Sequence, residues 1–495
     1  MASMFKWCAG TFVVACAASA SALVYGCSDD ALSSAFVGPT DGGNSKGDDA
    51  TVTLLPPSDG SLSTEVAPPC VGLCKQQVSC PGGGTTSLSG VVKDPAGKVP
   101  LYNVLVFVPN APVAPITQGA SCDRCGSVSG DPLVSAITDA QGRFRLTNVP
   151  VGDNIPLVVQ VGKWRRQIVI PTVGKCQDTP LQDESVRLPR NKQEGDLPQI
   201  AITTGGADVL ECLLRKIGVD DSEFTTPDKP GRVHFYAGAP GGNSTTTAFS
   251  ADAGGGKFPP ASEVWESKSS LMKYDLLLLS CEGDTYSAQK PTPAVQAMYE
   301  YANAGGRVFA SHWHRYWFDT SKSYNSEAGA APSTFPSVGA WIDRDPGPPD
   351  PSVGKVDTSF PKGKALSEWL GNVGGSPTGP GTLPIKEPRH NIDSVDAQKA
   401  QQWITVDYTQ DGGARSAVEY LSFNTPIQEP DDKKCGRVVY SDLHVSSGDQ
   451  RGKLWPSGCI QPDLSPQEKA LEFMLFDLSA CVQSDKEPPK APAVR

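Results

Sequence analysis

The sequence predicts a multidomain chain in which an antiparallel β-sandwich is followed by a doubly wound α/β domain. Between about residues 85 and 190, short apolar segments are separated by turn residues, a pattern typical of antiparallel strands. From about residue 198 to residue 483, apolar strands alternate with helical periodicity, which is typical of a parallel sheet covered by helices. The length of 495 residues allows two or three domains.

The first residues predict export from a bacterial cytoplasm. Lys6 precedes an uncharged, mostly apolar or small run over residues 7–26. Signal cleavage after Ala20 or Ala22 is one interpretation. An uncleaved anchor is another, because about 20 apolar residues can span a bilayer. Both interpretations place the rest of the chain outside the cytoplasm.

The end of this run resembles the lipobox of bacterial lipoproteins. Leu23-Val24-Tyr25-Gly26 leads into Cys27, and the resemblance implies a lipid on Cys27 that attaches the protein to a membrane. Ser28 at the next position resembles lipoproteins sorted to an outer membrane. We therefore expect residues 1–27 to be a signal peptide and the mature protein to be lipid-anchored in the cell envelope or at the cell surface.

Composition indicates a flexible segment and excludes one class of partner. Residues 28–69 contain few large apolar side chains, which predicts a disordered tether, and residues 70–84 form a short neck with three cysteines. The net charge of −11 argues against a nucleic-acid partner, which needs a basic face.

Cysteine usage agrees with an oxidising compartment. Apart from Cys8, Cys16 and Cys27, eleven of the 14 cysteines remain. The early six can close three disulfides, whereas the late five leave one thiol unpaired if the two groups stay separate. In the early group, Cys122 and Cys125 are a CxxC pair, which in an exported protein more often holds half-cystines than zinc. The early group is Cys70, Cys74, Cys80, Cys122, Cys125 and Cys176, and the late group is Cys212, Cys281, Cys435, Cys459 and Cys481.

The sandwich segment resembles a known family. Three stretches carry the likeness, namely Ser89-Gly90-Val91-Val92-Lys93-Asp94, Val99-Pro100-Leu101-Tyr102-Asn103-Val104 and Thr138-Asp139-Ala140-Gln141-Gly142-Arg143-Phe144. They look like the carboxypeptidase regulatory-like domain, a transthyretin-like β-sandwich. The resemblance implies a non-catalytic accessory module that binds a sugar or a protein, and it supplies no individual site residue.

The second segment predicts a doubly wound, flavodoxin-like sheet. Strands are expected at residues 200–204, 233–236, 274–280, 307–311 and 436–441. Helices are expected at residues 207–217 and 293–304, and after a capping box formed by Ser465 and Glu468. Residues from about 319 to 413 are rich in proline and glycine, which predicts an insertion beside the sheet, and residues 484–495 are expected to form a tail.

Polar side chains follow three of these strands at their carboxyl ends, where ligands bind in open parallel sheets. Three of the five histidines lie there. The candidate ligand-binding residues are Glu282, Asp284, His312, Trp313, His314, Asp442 and His444.

The same segment resembles the class I glutamine amidotransferase-like superfamily, closest to its ThuA-like branch. Tyr274 to Leu279, Gly305-Gly306 with the following strand to His312, and Gly436 to Tyr440 with His444 carry the likeness. In the amidotransferases a cysteine follows the strand after the double glycine, whereas this chain has His312 there. The branch lacks that cysteine too and is associated with sugar metabolism, which implies a carbohydrate ligand.

Each candidate residue has more than one interpretation. His312 and His314 can ligate zinc together with His444 or a carboxylate, or they can be packed and hydrogen-bonded in the crevice. Glu282 and Asp284 can act as acid and base, or can cap the helix that follows. Cys281 can be a reactive thiol, a buried structural residue or the disulfide partner of Cys212.

We therefore expect an exported lipoprotein that binds a ligand, either a glycan or an envelope protein, without catalysis and without a required cofactor. A hydrolase or other sugar-acting enzyme built on His312, His314, Asp442 and His444, with Glu282 as a further candidate, is the alternative. A purely structural envelope protein is a third hypothesis, in which the insertion fills the crevice.

Overall fold

The structure is a computed structural model. It describes residues 70–495 apart from 127, 183, 240–244, 322–331, 343–346, 446, 493 and 495. The signal peptide, the lipidated Cys27 and the tether lie outside the described residues and stay predictions. Both predicted folded segments belong to one compact unit, Pro68–Arg495.

The first part of the unit is built mainly from strands, which follow two short 3-10 turns at Leu73–Gln76 and Pro81–Gly83. The strands form a three-stranded sheet in the order β4-β1-β7 and a four-stranded sheet in the order β3-β2-β5-β6. Buried side chains of both sheets, such as Leu88 and Val106, belong to one hydrophobic core, which is consistent with a β-sandwich. The strands are β1 (Ser87–Val91), β2 (Leu105–Pro109), β3 (Pro132–Ile137), β4 (Arg143–Thr147), β5 (Gly152–Val161), β6 (Trp164–Val173) and β7 (Asp178–Pro180).

A ten-stranded mixed sheet dominates the rest of the unit, in the order β15-β14-β17-β18-β19-β12-β11-β8-β10-β9. The six strands from β19 to β9 are parallel, and the other four are antiparallel. The strands are β8 (Ile200–Thr203), β9 (Phe224–Thr225), β10 (Val233–Tyr236), β11 (Leu276–Leu279), β12 (Arg307–Ser311), β14 (Ser352–Val356), β15 (Thr382–Ile385), β17 (Gln401–Gln410), β18 (Gly413–Thr425) and β19 (Gly436–Ser441), while β13 (Gly339–Trp341) and β16 (Ile392–Val395) form a separate pair.

Helices are few, so the unit is rich in β-structure. The predicted capping box is confirmed, because the Ser465 hydroxyl accepts from the backbone of Glu468 and the Glu468 carboxylate accepts from the backbone of Ser465. No helix within the described residues has the length and apolarity needed to cross a membrane. The helices are α1 (Leu213–Lys216), α2 (Ser262–Trp265), α3 (Lys268–Leu271), α4 (Thr292–Asn303), α5 (Pro361–Asn372) and α6 (Pro466–Ser479).

The helix predicted at residues 207–217 is much shorter in the structure. One turn of 3-10 helix, Leu210–Cys212, precedes α1, and the backbone before it is not helical. The reason lies in tertiary hydrogen bonds, since the amide of Ala207 donates to the carbonyl of Cys281 at 3.0 Å. This bond holds the chain against the end of β11 instead of in a helix.

Two further predictions need correction. The segment at residues 319–413 does not simply lie beside the sheet, because β14, β15 and β17 extend it by antiparallel pairing. The tail at residues 484–495 is not wholly peripheral either. Asp485 is 8% exposed and forms ion pairs with Lys362 and Arg437, both at 2.9 Å.

The cysteines pair only in part within the early and late groups, since three of the five disulfides each stay within one group. Two early cysteines cross to late ones, and Cys212 pairs with Cys459 rather than with Cys281. Cys281 is buried and free, and Cys122 and Cys125 are half-cystines, as expected for this CxxC. The five disulfides are Cys70–Cys74, Cys80–Cys176, Cys122–Cys435, Cys125–Cys481 and Cys212–Cys459.

Helix α6 packs between the sandwich and the large sheet, and it carries a buried acid. The two carboxylate oxygens of Glu472 have no hydrogen-bond partner among the described residues. Burial, reinforced by the charge of Asp94, raises the pKa of Glu472 well above its usual value, while Lys469 opposes this and Glu468 adds to it. Burial also raises the pKa of Asp94 to about 6.

A pH-dependent loss of stability is expected from Glu472. The pKa of Glu472 is raised in the folded state. The stability contributed by its protonated form is therefore fully present below the ordinary pKa of about 4.3, and it is lost as the pH rises through the folded-state pKa. Glu472→Gln cannot ionise, so the wild type should lose about 1–3 kcal/mol relative to this variant between about pH 5 and pH 8. Urea unfolding at both pH values measures the difference, and the exposed Glu429→Gln is the control. Parallel pH profiles of the wild type and Glu472→Gln would contradict the prediction.

Candidate functional site

The three polar strand ends predicted to share a crevice do follow adjacent parallel strands. Strand β11 pairs with β12, and β12 pairs with β19, all in parallel. Strand β8 lies on the other side of β11, and the strand order reverses between these two. A crevice forms at such a point in an open parallel sheet, because the connections on either side leave in opposite directions.

Three side chains meet at these ends, namely Cys281 after β11, His312 after β12 and His444 after β19. The Cys281 Sγ lies 3.4 Å from the His312 Nδ1, which lies 2.9 Å from the His444 Nε2. All three ligand atoms lie within 4.8 Å of one another. Cys281 is fully buried, and each histidine is 5% exposed.

Each imidazole is held from outside the cluster by a further residue. The His444 Nδ1 lies 2.9 Å from the Glu387 Oε2, and the Asn391 side chain lies beside the ring of His312 and acts to raise its pKa. The Tyr440 hydroxyl oxygen lies 3.1 Å from the backbone carbonyl of His312. These contacts turn one nitrogen of each ring towards Cys281.

The two histidines titrate in opposite directions. Burial lowers the pKa of His312 well below its usual value, and the charge of His444 lowers it further. Burial also lowers the pKa of His444, but Cys281 and Glu387 outweigh it and raise that pKa to about 10. The hydrogen bond to His444 in turn lowers the pKa of Glu387 to about 2. A protonated His444 therefore donates to His312 through Nε2 and to Glu387 through Nδ1.

Asp208 ties the three strand ends together. Its carboxylate accepts from the backbone amide of Cys281 at 3.0 Å, from the amide of Val445 at 2.8 Å and from the Ser311 hydroxyl. Ser311 directly precedes His312, and Val445 directly follows His444. A single buried carboxylate thus binds a backbone amide or a hydroxyl at or next to every member of the cluster. The sequence analysis did not single out this position.

The backbone of His312 is held in an uncommon conformation. Its φ is 40°, in the left-handed region that side chains other than glycine rarely adopt. Holding such a residue there costs on the order of 1–3 kcal/mol and is seen mostly where the surroundings demand a particular side-chain direction. Here the result is that the His312 ring faces the ends of β11 and β19.

Other predicted site residues lie outside the cluster. His314 accepts from the Trp317 indole at 3.1 Å and bonds the Ser280 carbonyl at 3.0 Å, and burial lowers its pKa to about 4. Both ring nitrogens are therefore used, and the expected His312–His314 ligand pair is replaced by His312 with His444. Trp313 is partly exposed beside His312, with ring centroids 5.0 Å apart.

The three predicted carboxylates also have structural partners. Glu282 neither caps a helix nor faces the cluster, because it accepts from Lys290 at 2.5 Å and from the amide of Ala239 at 2.6 Å. Asp284 accepts from the amide of Thr285 rather than capping α4. Asp442 accepts from the Tyr440 hydroxyl at 2.7 Å and from the Asn391 amide at 2.5 Å.

Of the site residues that the sequence analysis missed, some follow a recognisable sequence pattern and others do not. Asp208 follows Gly205-Gly206 at the end of β8, so the rule applied to the other strands also selects it. Glu387 and Asn391 lie in the segment predicted as an insertion, where no local pattern marks them. Cys281 was interpreted as a reactive thiol, a buried structural residue or the disulfide partner of Cys212. It was not linked to the two histidines, because they follow strands that are distant in sequence.

The arrangement permits two kinds of chemistry. Two imidazole nitrogens and a thiol sulfur converge on one position, and these are ligands that zinc and copper prefer. In a tetrahedral zinc site with ordinary bond lengths, neighbouring ligand atoms lie about 3.3–3.6 Å apart. The 3.4 Å between the Cys281 Sγ and the His312 Nδ1 falls in this range, whereas the 2.9 Å between the two imidazole nitrogens is shorter. A thiol beside a histidine that is oriented by a carboxylate also has the composition of a nucleophilic triad.

Fold and site together define the chain as a β-rich, multi-sheet protein with a buried Cys–His–His group that could bind a metal. No protein-family model and no curated protein matches the chain. Among solved structures, a cytoplasmic protein from Salmonella typhimurium is similar at 12% identity, with a TM-score of 0.29, over 58% of this chain and 100% of that chain. A cohesin–X-dockerin complex from Acetivibrio cellulolyticus is similar at 17% identity, with a TM-score of 0.14, over 28% of this chain and 75% of that chain. Scores this low carry no conclusion about fold or function.

Proposed function

We propose that the protein is an exported metal-binding protein and that Cys281, His312 and His444 are the ligands of a single transition-metal ion. The convergence of their three ligand atoms within 4.8 Å is the observation that supports it. Glu387 and Asn391 are the outer partners that metal-bound histidines commonly have, and Asp208 holds the backbone beneath them. A thiolate with two imidazoles favours zinc or copper over magnesium or calcium.

Three protein ligands leave a fourth position for an exogenous ligand, as in catalytic zinc sites. Among the described residues, the group includes no fourth histidine, cysteine or carboxylate. The site is therefore suited to bind a small molecule directly on the ion. A glycan or envelope partner remains an expectation from the family resemblances alone.

The proposal includes the finer fold assignment and the location. The order of the six parallel strands, with its reversal between β8 and β11, supports a doubly wound, flavodoxin-like domain of the amidotransferase-like kind. The two sheets formed by β1 to β7 support a transthyretin-like, carboxypeptidase regulatory-like sandwich. The five disulfides support an oxidising location, and lipid attachment at Cys27 in the cell envelope follows from the lipobox resemblance.

Metal binding is tested on the chain from Ser28 onward, purified from an oxidising compartment. We expect one equivalent of Zn²⁺ by calorimetry, and Co²⁺ should give a thiolate-to-metal charge-transfer band. Cys281→Ser and His444→Ala should each weaken binding more than about 100-fold, because outer-shell partners alone contribute about 10–100-fold. His234→Gln, a change at a histidine on β10, is the matched control and should bind like the wild type.

Retained one-to-one binding in Cys281→Ser and His444→Ala would overturn the proposal, provided that circular dichroism shows both variants folded. A second candidate, a thiol enzyme with Cys281 as nucleophile, His444 as base and Glu387 orienting it, is favoured by the 2.9 Å contact between His444 and Glu387. It requires that no metal binds and that iodoacetamide modifies Cys281 rapidly in the wild type but slowly in His444→Ala. The complete burial of Cys281 favours the metal over this candidate.

A further inference from the structure

The charges beside the cluster point to the kind of molecule that takes the fourth position. On the inner side, Cys281 and Asp208 are fully buried. On the side of His444, the neighbours are more exposed. The side chain of Glu387 is 37% exposed and that of Arg451 is 38% exposed, and Arg389 is half-buried. Solvent therefore reaches the side of the cluster where these three residues lie.

Arg389 lies next to the cluster, where its charge acts on Glu387 and Glu419 without a direct ion pair to either of them. One NH2 nitrogen of its guanidinium lies 3.4 Å from the His444 Nδ1, and the other donates to the carbonyl of Pro388 at 2.9 Å. The His444 Nδ1 must itself donate to Glu387 when Nε2 faces an ion, so it cannot accept from Arg389. The guanidinium thus has donors that the described structure does not use.

Arg451 adds a second positive charge at the same place. Its guanidinium reaches the Glu387 Oε2 at 3.5 Å, a loose contact that leaves its other donors to solvent. Glu387 already binds His444, so two guanidinium groups share one carboxylate. The two charges of the ion would be balanced on the inner side by the Cys281 thiolate and by Asp208. On the outer side, Arg389 and Arg451 face the single carboxylate of Glu387, which leaves a net positive charge there.

We propose that the fourth position of the metal site binds an oxyanion, namely a carboxylate or a phosphate group of a small molecule. This inference rests on the proposed function. One oxygen binds the ion, and a second accepts from the guanidinium of Arg389, which suits the forked donors of arginine. Arg451 contributes by charge at longer range. A neutral ligand would leave the donors of Arg389 unused.

The test uses the cobalt-loaded chain from Ser28 onward, with inorganic phosphate and acetate as separate probes. We expect at least one probe to change the Co²⁺ absorption spectrum saturably, and the probe that binds more tightly identifies the oxyanion class. Arg389→Gln should raise the Kd of that probe about 10-fold or more while leaving the affinity for Co²⁺ undiminished. Arg451→Gln should raise the Kd less, and the exposed Arg415→Gln on β18 should have no effect.

Two outcomes overturn the inference. One is a cobalt spectrum that neither probe changes, and the other is a Kd that Arg389→Gln leaves unaltered. Neither outcome contradicts the proposed metal site. A chain that gives no cobalt spectrum would instead contradict the proposed function, so the two failures are distinguishable.

Discussion

Arg437→Leu is expected to lower the free energy of unfolding by about 3–5 kcal/mol, because it leaves buried carboxylates uncompensated. Arg437 is 2% exposed on β19 and donates to Asp477 at 2.6 Å and to Asp485 at 2.9 Å. The only other cation within ion-pair distance of these two carboxylates among the described residues is Lys362, at 2.7 and 2.9 Å. Without Arg437, one lysine must balance two carboxylates in a medium of low polarity.

Urea unfolding followed by circular dichroism measures this loss. Arg143→Leu, a change at an exposed arginine on β4, is the matched control and should shift stability by less than about 0.5 kcal/mol. Adding Asp485→Asn to Arg437→Leu should recover part of the loss, since it removes one of the two uncompensated charges. If the two effects are independent, the double variant will be less stable than Arg437→Leu by as much as Asp485→Asn destabilises the wild type. That result would show that the uncompensated Asp485 carboxylate is not the source of the loss.

The second large effect is expected from the two disulfides that join the sandwich to the large-sheet region. Cys122–Cys435 and Cys125–Cys481 close loops with sequence separations of 313 and 356 residues. Removing a native disulfide typically costs about 2–5 kcal/mol, so a variant with Cys122→Ser and Cys125→Ser should lose about 4 kcal/mol or more. We expect a clear fall in its thermal midpoint under non-reducing conditions.

The disulfide Cys70–Cys74 provides the matched comparison, because its sequence separation is only 4. In the chain-entropy description the closure of so short a loop contributes about 2 kcal/mol or less. Cys70→Ser with Cys74→Ser should therefore change the midpoint far less than the other pair. Equal shifts for the two double variants would show that the long-range bonds do not hold the two regions together.

Much of the local structure could be predicted from the sequence because it depends on near neighbours. The capping box at Ser465 and Glu468 is confirmed, and so are the apolar strands that became β11, β12 and β19. Helix α4 begins within one residue of its predicted start. The helix predicted at residues 207–217 failed because Asp208 and Ala207 bond to strand ends far away in sequence.

The candidate site was predictable only in part. The rule that ligands bind at strand carboxyl ends selected His312 and His444, and both are in the cluster. The same rule could not separate these two from His314, since that choice depends on which way each ring turns. Residues in the insertion, such as Glu387 and Asn391, enter the site only through the path of the folded chain.

The sequence by itself determined five of the six parallel strands and the polar residues that follow three of them, and its cysteine content predicted disulfides. These properties follow from periodicity, turn residues and composition, each of which is read within a short window. The tertiary structure alone decided the disulfide partners, the long-range ion pairs and the meeting of Cys281 with His312 and His444. Such contacts depend on strand order and on the direction of each side chain, which are set by the burial of the whole chain rather than by any local segment.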